Sequence, residues 1–344
     1  MLRLLLTGLV LLGQDSKPAP PSEPHLRNLR RLTSEGANAE AYWSADGKRL
    51  IFQSTRPPYA CDQIFTMDAD GSNLRLLSTG KGRTTCGWLF PDGRRFLYSS
   101  THLASPDCPP TRPRSHDPKQ YTWPILSTYD IFVADVADPT KPTRLTYAKG
   151  YDAEATMNAD GSRIVFTSTR DGDIEVYSMA PDGSDVKRLT NSKGYDGGAV
   201  FSPDGKRIVF RADELNDAGE IKDYEDLLAK ELVRPTRVEI YTMNADGSGR
   251  RRLTRNGKAN FSPDFFSDGK RILFSSNFED PEQRRFHLYA MRDDGTGLER
   301  VTSEGTFNAF AKFSPDGRRL AFISNRYAAA GMRLYDVCVA DWVD

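Results

Sequence analysis

Short apolar runs recur along this chain and are broken, again and again, by Pro-Asp-Gly or Asp-Gly. The clearest copies are Phe201-Ser202-Pro203-Asp204-Gly205-Lys206-Arg207-Ile208-Val209-Phe210 and Phe313-Ser314-Pro315-Asp316-Gly317-Arg318-Arg319-Leu320-Ala321-Phe322. Looser copies run over 43–52, 89–98, 157–166 and 265–274. In each, an apolar run meets a turn and then a second run alternates apolar and polar residues. Asp-Gly between alternating runs predicts a tight hairpin, because glycine tolerates the positive φ such a turn needs. A second pair of runs follows most hairpins, as in 174–179 and 186–190 around Asp182-Gly183, or 238–243 and 251–254 around Asp246-Gly247. Each unit is thus four strands, A to D from the centre outward.

The hairpin glycines Gly47, Gly93, Gly161, Gly205, Gly269 and Gly317 are spaced by 46, 68, 44, 64 and 48 residues. A repeat of this size built from four strands is the signature of a propeller blade. The fold predicted is all-β, a six-bladed β-propeller occupying 25–344. The last unit ends after its strand C, whereas Leu29-Arg30-Arg31-Leu32-Thr33 matches the D-strand runs ending at Thr190 and Thr254. The N-terminal strand is therefore expected to complete the last blade and close the ring. The two long spacings place insertions at about 101–128 and 213–237, both between strands B and C. The second carries a helical period through Tyr224, Leu227, Leu228, Lys230, Leu232 and Val233, stopped by Pro235.

Composition adds bounds. Lys+Arg and Asp+Glu are both 47, and such balance argues against nucleic-acid binding. Residues 1–24 read as a signal-like apolar segment with a Pro-rich linker. Arg3 precedes an apolar run over 4–13, too short to span a bilayer and suited to a secretory leader. The expectation is an exported protein, periplasmic or extracellular, and a monomer without a membrane span. Export permits a disulfide, expected among Cys61, Cys86 and Cys108, while Cys338 reads as a small buried residue.

Phe-Ser-Pro-Asp-Gly-Lys/Arg, Tyr-Thr-Met-Asn-Ala-Asp-Gly-Ser (241–248) and Arg-Arg-Leu-Thr (251–254) resemble the PD40, WD40-like repeats of TolB-like propellers. The resemblance covers residue 26 onward. It implies a six-bladed ring and a role in binding, since TolB is a periplasmic partner of an envelope complex. TolB carries an α/β domain ahead of its propeller, while here the apolar run and linker precede the ring. Propeller-bearing peptidases are also similar, but they depend on a hydrolase domain with a Gly-x-Ser-x-Gly elbow, and this sequence has none.

Counting back nine residues from each hairpin glycine gives Asn38, Thr84, Asp152, Asp196, Asn260 and Asn308. All are polar and start strand A, which lines the channel, so they are expected to ring one mouth. Alternation carries the same direction two residues on, to Glu40, Cys86, Glu154, Gly198, Ser262 and Phe310. Strand-B ends add Arg56, His102, Arg170, Glu214 and Arg326 on that face. The predicted function is non-enzymatic: binding of a protein, peptide or other polymer at the channel mouth, by Asn38, Glu40, Thr84, Asp152, Glu154, Asp196, Asn260, Asn308, Arg56, Arg170 and Arg326. The alternative is a hydrolase or lyase of glycans or peptides at the same mouth. No cofactor is required; an oxygen-only set of Asp152, Glu154 and Asp196 would suit Ca²⁺ or Mg²⁺. No strand A carries a histidine, which speaks against histidine–metal lyase chemistry, and His102 and His116 fall in the first insertion.

Overall fold

A computed structural model describes residues 23–110, 117, 120–329 and 334–344. The leader-like run, most of the Pro-rich linker and His116 lie outside the described residues. Six four-stranded antiparallel sheets form six blades. Their A and B strands are Ala37–Trp43 and Arg49–Thr55, Thr84–Leu89 and Arg95–Ser100, Asp152–Met157 and Ile164–Ser168, Asp196–Phe201 and Arg207–Ala212, Asn260–Phe265 and Arg271–Ser276, and Asn308–Phe313 and Arg319–Ser324. Neighbouring A strands meet around the ring, blade 6 against blade 1. The last sheet is completed by Leu26–Arg31, antiparallel to Asp336–Trp342.

The hairpins form as their sequence requires. All six glycines have φ between +64° and +75°, which an L-residue adopts only under strain. Serine–aspartate contacts rigidify the turn: Ser202 Oγ donates to Asp204, and Asp204 accepts from the Lys206 amide. Arginines after the turn stitch the blades together. Arg49 Nη2 donates to the Gly93 carbonyl (2.8 Å) and Arg319 Nη2 to the Gly47 carbonyl (2.7 Å), the latter across the closure. Between blades the core is apolar. One such layer packs Phe90, Leu97, Ile131, Ile164, Phe166 and Met179.

Both insertions leave between strands B and C, on the face opposite these hairpins. Helix α1, Ala218–Leu228, is capped by Asp217, whose carboxylate accepts from the Gly219 and Glu220 amides. It is shorter than the periodicity predicted. Glu231 has φ +57°, the chain turns there, and Leu232–Val233 becomes a strand paired with Trp123–Pro124 of the other insertion. The two insertions thus meet in a short ribbon. The helix is held down by Tyr224, which is buried and donates its hydroxyl to Asp173 and to the Gly194 carbonyl.

Candidate functional site

Two concentric sets of side chains sit at the insertion face. The set nine residues before each hairpin glycine turns into the blades. Asn38, Thr84, Asp152, Asp196, Asn260 and Asn308 are each no more than 2 % exposed. Asn38 Oδ1 accepts from Arg56 Nη2 (3.0 Å), Asp152 from Arg170 Nη2 (2.9 Å) and Asn308 from Arg326 Nη2 (3.3 Å). Asn260 bonds to Ser276 and the Val238 carbonyl, and Thr84 Oγ1 donates to the Asp62 carbonyl. The strand-B arginines therefore fold back as latches, with Arg56 stacked near Phe65 and Arg170 near Tyr177. Arg326 also grips Glu23. Blade 4 has Glu214 in the arginine position. There Arg250 supplies the guanidinium instead, bonding Asp196 (2.8 Å) and Glu214 (3.3 Å) over Tyr241.

The expected mouth ring is thus corrected by two residues. Simple alternation fails because every A–B ladder shifts register just after the residue that follows the first-ring position. At the shift, Glu40, Cys86, Glu154, Gly198, Ser262 and Phe310 all have φ between +46° and +60°. The bulge points these side chains into the channel. Below them come Tyr42, Trp88, Thr156, Val200, Asp264 and Lys312, and the two levels enclose a cavity of about 50 Å³.

The channel wall is charged and mostly self-paired. Glu154 accepts from Thr167 Oγ1 (2.8 Å), the Gly198 amide (3.0 Å) and Arg211. Arg211 belongs to strand B of blade 4 and also meets the Tyr195 hydroxyl. It enters the channel through the space a side chain at residue 198 would fill: a Cβ on Gly198 would stand 2.0 Å from Arg211 Nη1. Trp123 of the ribbon lies 5.5 Å from this guanidinium and 6.0 Å from the Phe261 ring, so the ribbon bridges blades 4 and 5 above the channel. Deeper, Lys312 Nζ pairs with Asp264 (2.6 Å) over the Trp88 ring (4.8 Å). Burial raises Asp264, against the pull of Lys312.

Glu40 differs. Its Oε2 is closed to solvent and has no hydrogen-bond partner. Burial first, then the nearby Glu154 charge, push its carboxyl up to about 7, against a hydrogen bond from Cys86 and the attraction of Arg211. Burial and the same two carboxylates push the Cys86 thiol well above its usual range.

Asp152, Glu154 and Asp196 do not converge: each faces its own arginine. Among the described residues no group of three or more His, Cys, Asp or Glu is arranged to hold a metal ion. Cys61 is bridged to Cys108, with Cα atoms 5.9 Å apart, and Cys86 and Cys338 are buried free thiols. His102 stays beside Ser100 and Phe132.

The profile of the TolB β-propeller domain, PD40, matches residues 126–226 and 223–341. The chain belongs to the TolB β-propeller family. Solved structures share its fold. A proposed TolB from Agrobacterium tumefaciens superposes with TM-score 0.59 at 17 % identity, over 92 % of this chain and 94 % of that one. TolB from Acinetobacter baumannii gives 0.58 at 19 %, over 88 % of this chain and 65 % of that one. An oligogalacturonate lyase from Vibrio parahaemolyticus gives 0.53 at 14 %, over 91 % and 93 %. This TolB-family ring therefore shares its scaffold with TolB proteins and with a lyase alike, and function has to be argued from the site.

Arg211, Arg250, Lys312, Asp264 and Trp123 were missed by the sequence reading. The first has a legible signal. Fifteen residues after each first-ring position stand Gln53, Ser99, Thr167, Arg211, Ser275 and Ile323. The arginine falls in the one blade whose channel position is glycine. Five residues before each hairpin glycine, the same count reaches Asp264 and Lys312.

Proposed function

We propose that this chain is an exported, non-enzymatic propeller that binds a protein or peptide segment on the face carrying the two insertions. One observation carries the reading. The insertions of blades 2 and 4 join in a ribbon above one channel mouth, and the space beneath is about 50 Å³. That volume admits a few waters and no sugar ring, so a polymer would be met by the face and not by the bore. Two of the three channel carboxylates, Glu154 and Asp264, are already neutralised by Arg211 and Lys312, which leaves Glu40 alone and no free pair of acids for the hydrolase or lyase alternative. Export is supported by the Cys61–Cys108 bridge, which persists in oxidising compartments, and by the apolar run over 4–13.

The test is cross-linked capture from envelope extract. The bait is the wild type or a ribbon variant, Trp123→Ala with Val233→Asp. A defined protein recovered by the wild type and lost from the folded variant is expected. Equal recovery by both, or turnover of a glycan or peptide by the wild type, overturns the proposal.

A further inference from the structure

The channel below the ribbon holds an imbalance that the fold does not resolve. Its wall carries three carboxylates, Glu40, Glu154 and Asp264, against two cations, Arg211 and Lys312. Two ion pairs use up both cations. Arg211 is committed to Glu154 and the Tyr195 hydroxyl, and Lys312 to Asp264 over the face of Trp88. Glu40 is left over. The residue lines the cavity, and one of its oxygens, Oε2, is closed to solvent and has no partner. A buried carboxylate oxygen without a donor is costly, and such an orphan needs an explanation, an unseen ion or water among them.

We infer that the channel is a site for one monovalent primary ammonium group, seated on the Glu40 carboxylate and walled by Tyr42, Trp88 and Phe310. Three features select that chemistry. One positive charge brings the five wall charges to neutrality, whereas a divalent ion overshoots. An ammonium supplies the charged N–H donor that the Glu40 carboxylate lacks, as a charge-assisted bond. Its remaining positive surface meets aromatic rings, Tyr42 and Trp88 lying 5.2 Å apart, which attract cations through their faces. The protein already builds this arrangement once: Lys312 places its own ammonium on a carboxylate and on the Trp88 face in the same cavity. The space of about 50 Å³ fits an ammonium ion or the tip of an alkylammonium chain. The site stands whether or not the outer face binds a partner.

Protons compete for the same carboxylate. The groups that set Glu40 are the Cys86 thiol, the Glu154 and Asp62 carboxylates and the Arg211 guanidinium, in addition to burial. With its carboxyl at about 7, Glu40 is ionised at pH 8.5 and protonated at pH 5.5, so ammonium binding is expected at the first pH and not at the second.

The experiment is thermal unfolding of the full chain at constant ionic strength, with ammonium, methylammonium, n-butylammonium or tetramethylammonium chloride. Expected at pH 8.5 is a saturable rise of a few degrees in the midpoint with ammonium or methylammonium. Tetramethylammonium, which has no N–H, gives none. A rise with n-butylammonium as well identifies a site that admits an alkyl chain such as a lysine side chain. A response confined to the two smaller ions identifies a resident small ion. In both cases the rise vanishes at pH 5.5 and in Glu40→Gln. An ¹⁵N-ammonium signal in slow exchange, present for the wild type at pH 8.5 and absent at pH 5.5, reports the same site without any substitution. The inference is overturned by a midpoint indifferent to all four salts at pH 8.5. It is also overturned by an equal response in Glu40→Gln, or by tetramethylammonium matching ammonium.

Discussion

Replacing Glu40 by glutamine should make the protein more stable at alkaline pH and leave it unchanged in acid. The reasoning starts from one carboxyl held at about 7 in the folded chain, against an ordinary value of about 4.3 once unfolded. Because the folded pKa is the raised one, the native state binds the extra proton. Below the unfolded pKa both states are protonated and the group is neutral with respect to stability. As pH rises through the window from about 4.5 to 7, the unfolded chain ionises freely while the folded chain resists, and stability is lost. Above 7 the full penalty is present. A displacement of that size corresponds to about 4 kcal/mol. Glutamine keeps the shape and an acceptor for Cys86 but cannot ionise. The assay is urea unfolding of wild type and Glu40→Gln from pH 4.5 to 8.5 in tetramethylammonium chloride, which supplies no N–H donor. The difference between the two proteins isolates this residue, since other raised carboxyls, Asp152 and Asp264 among them, are common to both. The variant is expected to match the wild type near pH 4.5 and exceed it by about 4 kcal/mol at pH 8.5. A constant difference across the range, or a variant less stable at pH 8.5, refutes the placement of a strained carboxylate in the channel.

Two further substitutions probe the arginines that sequence reading missed. Gly198→Ala should drive Arg211 from Glu154, since the new Cβ would stand 2.0 Å from Nη1; a loss of about 2–4 kcal/mol is expected from overpacking and the positive φ. Gly257→Ala, at φ +65° with open space around it, should lose only about 1–2 kcal/mol and serves as the control in the same denaturation series. Arg250→Met leaves Asp196, 0 % exposed, without its cation and should lose about 3–5 kcal/mol. Adding Asp196→Asn to it should restore much of that loss, and a double variant no better than the single one would show that Arg250 acts through something other than Asp196.

What was legible in the sequence follows from what each feature needs chemically. The hairpins could be counted because a tight turn demands glycine at one place, and that demand repeats six times. The D strand at the N-terminus could be assigned because Arg-Arg-Leu-Thr recurs elsewhere in the chain. The channel side of strand A could not be assigned by alternation, because the bulge at Glu40, Cys86, Glu154, Gly198, Ser262 and Phe310 has no residue type in common: the fold imposes left-handed geometry on acid, thiol, hydroxyl and aromatic alike. The ribbon was invisible for another reason. Two residues pairing with two others, Trp123–Pro124 with Leu232–Val233, make no period in either segment.

The same limits explain why two glutamates that look equivalent are not. Glu40 and Glu154 occupy the same position of blades 1 and 3, so any count along the repeat treats them alike. Their neighbours around the ring decide the difference. Blade 4 follows blade 3 and offers a glycine in the channel and an arginine fifteen residues into its hairpin, so Glu154 receives a guanidinium and the Gly198 amide. Blade 2 follows blade 1 and offers Cys86 and Ser99 at those two places. The thiol is a weak donor, and the Ser99 hydroxyl is itself buried without a partner. One acid is thereby neutralised as part of the wall, and the other is left with an oxygen that has no donor. The reactivity of this channel is written across blade boundaries, in which side chain each blade lends to the one before it.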